Sequence, residues 1–147
     1  MELLKHGLST DQIEKYLENV PGFVGCYPSN KIPEINSFPC TLIINTAQSG
    51  YPGDHWVALH LKEDVAFYFD SFGFPILEYD IFKFLKKYYK KVIYNRICIQ
   101  DLTSIACGLF CIAFVKNVFS VKSYNLFISQ FSSANIKEND CTVLNFI

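Results

Sequence analysis

Residues 108–119 read GLFCIAFVKNVF, apolar throughout except at Lys116 and Asn117. A helix that is apolar on every side has to be surrounded by the rest of its chain. The sequence therefore demands a central helix with other elements packed around it. The segment before it, residues 100–104 (QDLTS), is polar and leads into Ala106-Cys107-Gly108. Cys107 is thus expected in the first turn of that helix. Unpaired N–H groups and the positive end of the helix dipole favour a thiolate there. A thiolate so placed is a candidate nucleophile.

The chain has 147 residues, half of them hydrophobic, which is enough for one domain (1–147) around one sizeable core. A net charge of −1 argues against a strongly basic nucleic-acid binder. The first residues, MELLK, lack a signal-peptide layout, and no apolar run approaches the length of a membrane span. The six cysteines include no C-x-x-C pair and are irregularly spaced. That pattern fits neither a zinc ribbon nor a disulfide scaffold and points to reduced, intracellular thiols.

Local signals outline the remaining elements. Residues 9–20 predict a helix, with Ser9 and Gln12 as a capping box, Ile13, Leu17 and Val20 on one stripe, and Pro21-Gly22 as the stop. Residues 23–39, broken by prolines, read as an ordered but irregular surface segment. Residues 41–45 (TLIIN) read as a strand buried on both faces, and 46–54 as a loop. Residues 55–61 and 65–70 read as strands joined by a turn at Lys62-Glu63-Asp64. Residues 71–75 read as a turn. Residues 77–89 predict a helix with Leu77, Phe82, Leu85 and Tyr89 on one side. Residues 91–100 read as a strand and 123–131 as a last helix, while 132–147 carry little pattern.

With the turn centred between Lys62 and Glu63, antiparallel pairing sets His55 directly opposite Asp70. Opposed residues share a face, with Cβ atoms about 4.5–5.5 Å apart. The hairpin therefore brings an imidazole to a carboxylate. A cysteine nucleophile needs a base, a group that orients the base, and donors for the oxyanion. Cys107, His55 and Asp70 fill the first three roles by type. Gln100 can offer a side-chain N–H to the oxyanion, with the Cys107 backbone N–H as the second donor. Other candidates have plainer readings. Cys98 and Cys111 read as packing residues, His60 as structural or surface, and Lys83 to Lys91 as a solvated face.

Three phrases in order, GDHWVALH (53–60), FYFDSFGFP (67–75) and QDLTSIACGLFCIAF (100–114), resemble the adenovirus protease family (adenain). So do FVGCY, followed by a Lys and a Pro, and CTLIINTA ahead of the histidine loop. The wider clan includes the ubiquitin-like-protein-specific proteases, which share the His-Trp, Asp-Ser and Gln…Cys-Gly elements. The resemblance covers about residues 9–119. It implies an α+β, papain-related but rearranged cysteine protease fold, with a mixed central sheet flanked by helices and the nucleophile opening a buried helix.

By the same resemblance Cys107 is the nucleophile, His55 the base, Asp70 its orienting acid and Gln100 the oxyanion-hole glutamine. Trp56 is the tryptophan that packs along the substrate cleft. The implied activity is an endopeptidase that cuts viral precursor proteins at glycine-containing sites during virion maturation. It would act inside an infected host, in the nucleus or a cytoplasmic virus factory, and be packaged in the virion. A processing protease for a ubiquitin-like modifier is the alternative, and a non-catalytic binding module of the same fold ranks third. Adenovirus enzymes use a disulfide-linked peptide and DNA as cofactors. This chain has no cysteine at the peptide's anchor position and no basic excess, so neither is expected to be required, and no metal is expected. The expected partners are protein substrates, with no membrane and at most weak nucleic-acid binding, and the expected state is a monomer.

Overall fold

A computed structural model describes residues 2–147. Five strands form one mixed sheet in the order β1 (Phe23–Pro28), β2 (Cys40–Asn45), β3 (Trp56–Leu61), β4 (Val65–Phe69) and β5 (Lys91–Tyr94). The central β2–β3–β4 meander is antiparallel, and β1 and β5 each add to it in parallel. β2 and β3 are buried at every position, which explains why both read as apolar runs without polar alternation. Their side chains alternate between two cores. Ile43, Trp56, Ala58, Phe67 and Phe69 face one, and Leu42, Ile44, Val57, Leu59 and Tyr68 the other.

The first core is built on α3 (Cys107–Asn117). Its residues from Gly108 to Val115 are all buried, against the sheet, α1 (Thr10–Leu17), α4 (Val121–Ser129) and the C-terminal segment. Phe69 stacks on Phe114 with centroids 4.9 Å apart, and Phe127 meets both rings edge-on. The all-round apolar helix is thus enclosed as its composition requires. α1 carries the expected capping box, since Ser9 Oγ accepts from the Gln12 N–H and Gln12 Oε1 accepts from the Ser9 N–H. α2 (Tyr79–Tyr88) covers the opposite face of the sheet through Ile81 and Leu85.

Several expectations change. The segment 23–39 contains β1, an edge strand whose register shifts between Phe23 and Gly25, leaving Val24 unpaired. The strand expected over 91–100 ends at Tyr94, and a loop follows. In α2 the buried side is Ile81 and Leu85, followed by Tyr89 after the helix. Leu77 precedes the helix at 75% exposure and Phe82 is exposed. The weakly patterned tail forms α5 (Asn139–Val143), flanked by single 3₁₀ turns at Ile136–Glu138 and Leu144–Phe146. Val143 is fully buried in the core around α3.

The hairpin register also differs. Lys62 N–H bonds the Val65 carbonyl, so the turn has two central residues, Glu63 and Asp64. Ala58 then opposes Phe69 and Leu61 opposes Ala66. The ladder ends at the Ala58–Phe69 pair, so His55 and Asp70 both lie outside it and are not rung partners.

Candidate active site

His55 follows a loop closed at its base. Thr46 N–H bonds the His55 carbonyl at 2.8 Å, and Asn45 Oδ1 accepts from the Ala47 and Asp54 N–H groups. His55 Nε2 lies 2.7 Å from Asp70 Oδ1. His55 lies just before β3 and Asp70 just after β4, so the two meet beyond the last paired rung, where Asp70 opens a turn closed by the Gly73 N–H on its carbonyl. Phe72 stacks on the imidazole, with centroids 4.6 Å apart and planes 15° from parallel. The Phe72 N–H also donates to Asp70 Oδ1 at 2.9 Å. The ring is therefore held by an edge contact and a face contact from one short turn. That turn needs Gly73, which has φ +72°, and a Cβ there would stand 2.7 Å from the Cys98 nitrogen.

Cys107 is the first residue of α3 and is partly accessible. Its sulfur lies near enough to His55 to help raise the pKa of that imidazole. With Nε2 committed to Asp70, Nδ1 is left for the sulfur. Burial alone would lower the His55 pKa. The hydrogen bonds to Asp70 and Cys107 and the negative charges of both outweigh it and raise the pKa to about 9. Cys111, one turn on, is completely buried, and burial, together with the charges of Cys107, Asp70 and Cys26, pushes its thiol well up. It is an inert core thiol.

These groups border a cleft of about 780 Å³. One wall is the segment 7–10, another is the loop 47–54, and His55, Trp56, Phe72, Ser104, Ile105 and Cys107 also line it. Trp56 joins the cleft to the N-terminal segment, since its indole N–H donates to the Leu8 carbonyl at 3.0 Å. Leu8 in turn lies where a Cβ on Gly108 would meet it at 3.2 Å, so glycine there admits the close packing.

Gln100 is fully buried and stands behind Ser104, outside the cleft lining. Its Nε2 donates to the Ser104 carbonyl at 3.0 Å and hydroxyl at 3.2 Å, and its Oε1 accepts from the Ser71 hydroxyl. Both amide hydrogens are thus engaged within the loop. The Cys107 N–H, at the open end of α3, needs no such rearrangement to meet an oxyanion.

Two residues that carried no motif support the acid. Asn95 Oδ1 accepts from the Asp70 N–H at 3.2 Å, and Asn95 Nδ2 donates to the Asp70 carbonyl at 2.6 Å. An amide side chain thereby replaces the next rung of the ladder where β5 has ended. Tyr124 donates its hydroxyl proton to a site shared by Asn95 Oδ1 and the Tyr68 carbonyl, both at 2.8 Å. The sequence held one signal for this clamp, the polar Asn95-Arg96 pair interrupting the otherwise apolar stretch 92–99.

Among the described residues no group of His, Cys, Asp and Glu could hold a metal ion, and no helix is long and apolar enough to cross a membrane.

No protein-family model matches the chain. No curated protein matches it either. Among solved structures it is similar to the crystal structure of the selenomethionyl ASFV pS273R protease, at 18% sequence identity and a TM-score of 0.49. The match covers 95% of this chain and 69% of that one. At that level of similarity the chemistry of the site rests on its own residues.

Proposed function

We propose that the protein is a cysteine endopeptidase of the adenain-like kind. The observation that carries the reading is the Cys107–His55–Asp70 chain at the mouth of the buried helix, with the 2.7 Å His55–Asp70 bond at its centre. The Cys107 thiolate, paired with the His55 imidazolium, attacks a peptide carbonyl. The tetrahedral oxyanion takes the Cys107 N–H, and Gln100 supplies a second donor by exchanging one Ser104 bond for the substrate oxygen. His55 gives its proton to the leaving amine, and water then hydrolyses the acyl-enzyme. Asp70 keeps the imidazole oriented and stabilises its charge. Trp56 forms part of the substrate cleft.

The substrates in this reading are viral precursor proteins cut at glycine-containing sites during particle maturation, inside the infected host and in the virion. The enzyme acts as a monomer without metal, disulfide-linked peptide or DNA. The SFGF phrase at 71–74, which favours the adenain side over the ubiquitin-like side, supports this substrate class, and the net charge of −1 supports independence from DNA.

The test is hydrolysis of a glycine-containing peptide by purified protein in reducing buffer, with and without DNA. Wild type and Cys111→Ala should turn over. Cys107→Ala should lose several orders of magnitude in rate while keeping its fold. A Cys107→Ala variant that cleaves like wild type would overturn the reading. Labelling of Cys107 only by a probe ending in a ubiquitin-like Gly-Gly tail would move it to the modifier-processing branch.

A further inference from the structure

We infer that Asn139 and Asp140 of α5 are positioning residues for the loop from Gln100 to Cys107, with Asp140 setting the direction of the hydrogen bonds along Ser104, Gln100 and Ser71. The inference rests on the protease reading and adds to it the part played by the C-terminal segment.

The chain of donors and acceptors starts at Asp140. Its Oδ2 accepts from the Ser104 hydroxyl at 2.7 Å. An ionised carboxylate only accepts, and a hydroxyl has one proton to give. The Ser104 proton is therefore committed, and its oxygen is left to accept. It does so from the Ala106 N–H at 3.1 Å and from Gln100 Nε2 at 3.2 Å. That in turn fixes the Gln100 amide with its hydrogens toward the loop that carries Cys107 and its oxygen toward the Ser71 hydroxyl. A Ser104 hydroxyl free to turn could donate to Gln100 Oε1 instead. The amide would then present an acceptor where a developing oxyanion needs a donor.

Asn139 holds the other end of the loop. Its Nδ2 donates to the Ile99 carbonyl at 2.9 Å and the Ser132 carbonyl at 2.8 Å, and its Oδ1 accepts from the Ser132 N–H. Ile99 immediately precedes Gln100. Two consecutive residues of α5 thus grip the loop at 99 and at 104. Asp140 does this at a cost to the fold, because its Oδ1 is buried without a hydrogen-bond partner. Burial raises its pKa and the Asp101 charge adds to the rise, while the Ser104 bond opposes it. A residue kept for packing alone has no need of that half-paired carboxylate.

The test uses Asp140→Asn, which keeps the shape but can face Ser104 with either an acceptor or a donor. Three quantities separate positioning from packing: kcat and KM on the glycine-containing peptide, affinity for a peptide aldehyde, and alkylation of Cys107 by iodoacetamide followed by peptide mapping. The aldehyde adduct places an oxygen in the oxyanion position, whereas alkylation forms no oxyanion. Asp140→Asn should lower kcat by about 10- to 100-fold, the range expected when an oxyanion donor is misplaced. KM and alkylation should stay near wild type, and aldehyde affinity should fall in parallel with kcat. Ser104→Ala should show the same pattern, and the double variant should lose little more than either single one. An unchanged kcat, or a fall in alkylation matching the fall in kcat, would overturn the inference. A wild-type protein that is alkylated at Cys107 yet neither hydrolyses peptides nor binds the aldehyde would overturn the protease reading itself, and this assignment with it.

Discussion

His55 sits between Asp70 on Nε2 and Cys107 on its other nitrogen, and it keeps its proton up to about pH 9. In the proposed mechanism the imidazolium both holds the thiolate and supplies the leaving amine, so kcat/KM should fall as pH rises through about 9. Asp70→Asn keeps an acceptor and removes a charge. Its alkaline limb should move to lower pH, and its rate should fall by less than that of His55→Ala; a pH–rate profile measures both. An alkaline limb that stays in place would disconnect Asp70 from the ionisation of His55. The same raised pKa stabilises the fold below the ordinary histidine range, and that contribution is lost as pH rises through about 9. His60 behaves in the opposite sense. Burial first, and the Lys62 charge second, lower its pKa to about 4, and neither ring nitrogen has a partner. The unfolded chain takes up that proton more readily, so stability should drop as pH falls from about 6.5 toward 4. His60→Leu should flatten that part of a melting-temperature profile against pH, and an unaltered acid slope would exclude His60 as its source.

At the scale of elements, the clamp on Asp70 joins β4, β5 and α4 through side chains. Tyr124→Phe removes one donor from Asn95 Oδ1 and the Tyr68 carbonyl, and should cost about 1–2 kcal/mol in denaturant unfolding. Asn95→Ala leaves the Asp70 N–H and carbonyl without these partners. It should lower kcat more than Tyr124→Phe does, and Asn95→Ala at wild-type kcat would reduce the clamp to packing. This clamp also shows why parts of the molecule were hard to read in advance. Asn95 leaves the ladder to serve Asp70, so the expected strand stops at Tyr94 while its apolar pattern continues. The hairpin was legible as a hairpin, but its turn length was not, because Lys62, Glu63 and Asp64 are all acceptable turn residues. His55 and Asp70 still meet, since each lies just outside the paired strands at the same end of the hairpin. β1 was hidden because its ladder is parallel, irregular between Phe23 and Gly25, and ended by Pro28. Ser9, Gln12 and the apolar run after Cys107 were legible because their signals are local.

On the scale of the whole molecule, α3 is reached from both ends of the chain. Segment 7–10 bonds Trp56 and covers Gly108, while α5 and the turn after it pack against α3 from the other end. Every group assigned to the chemistry lies between His55 and Cys107, yet the loop carrying Gln100 is held by Asn139 and Asp140. A chain ending at Phe131 would retain all the reacting side chains and lose this grip, together with the fully buried Val143. It should show little or no peptide hydrolysis and expose apolar surface to a hydrophobic dye; full activity would show that α5 is dispensable. During synthesis, then, the proposed catalytic groups emerge from the ribosome before α5, whose Asn139 and Asp140 hold their loop. A growing chain would carry its own delay, remaining harmless to its neighbours until α5 has emerged and taken hold of the loop.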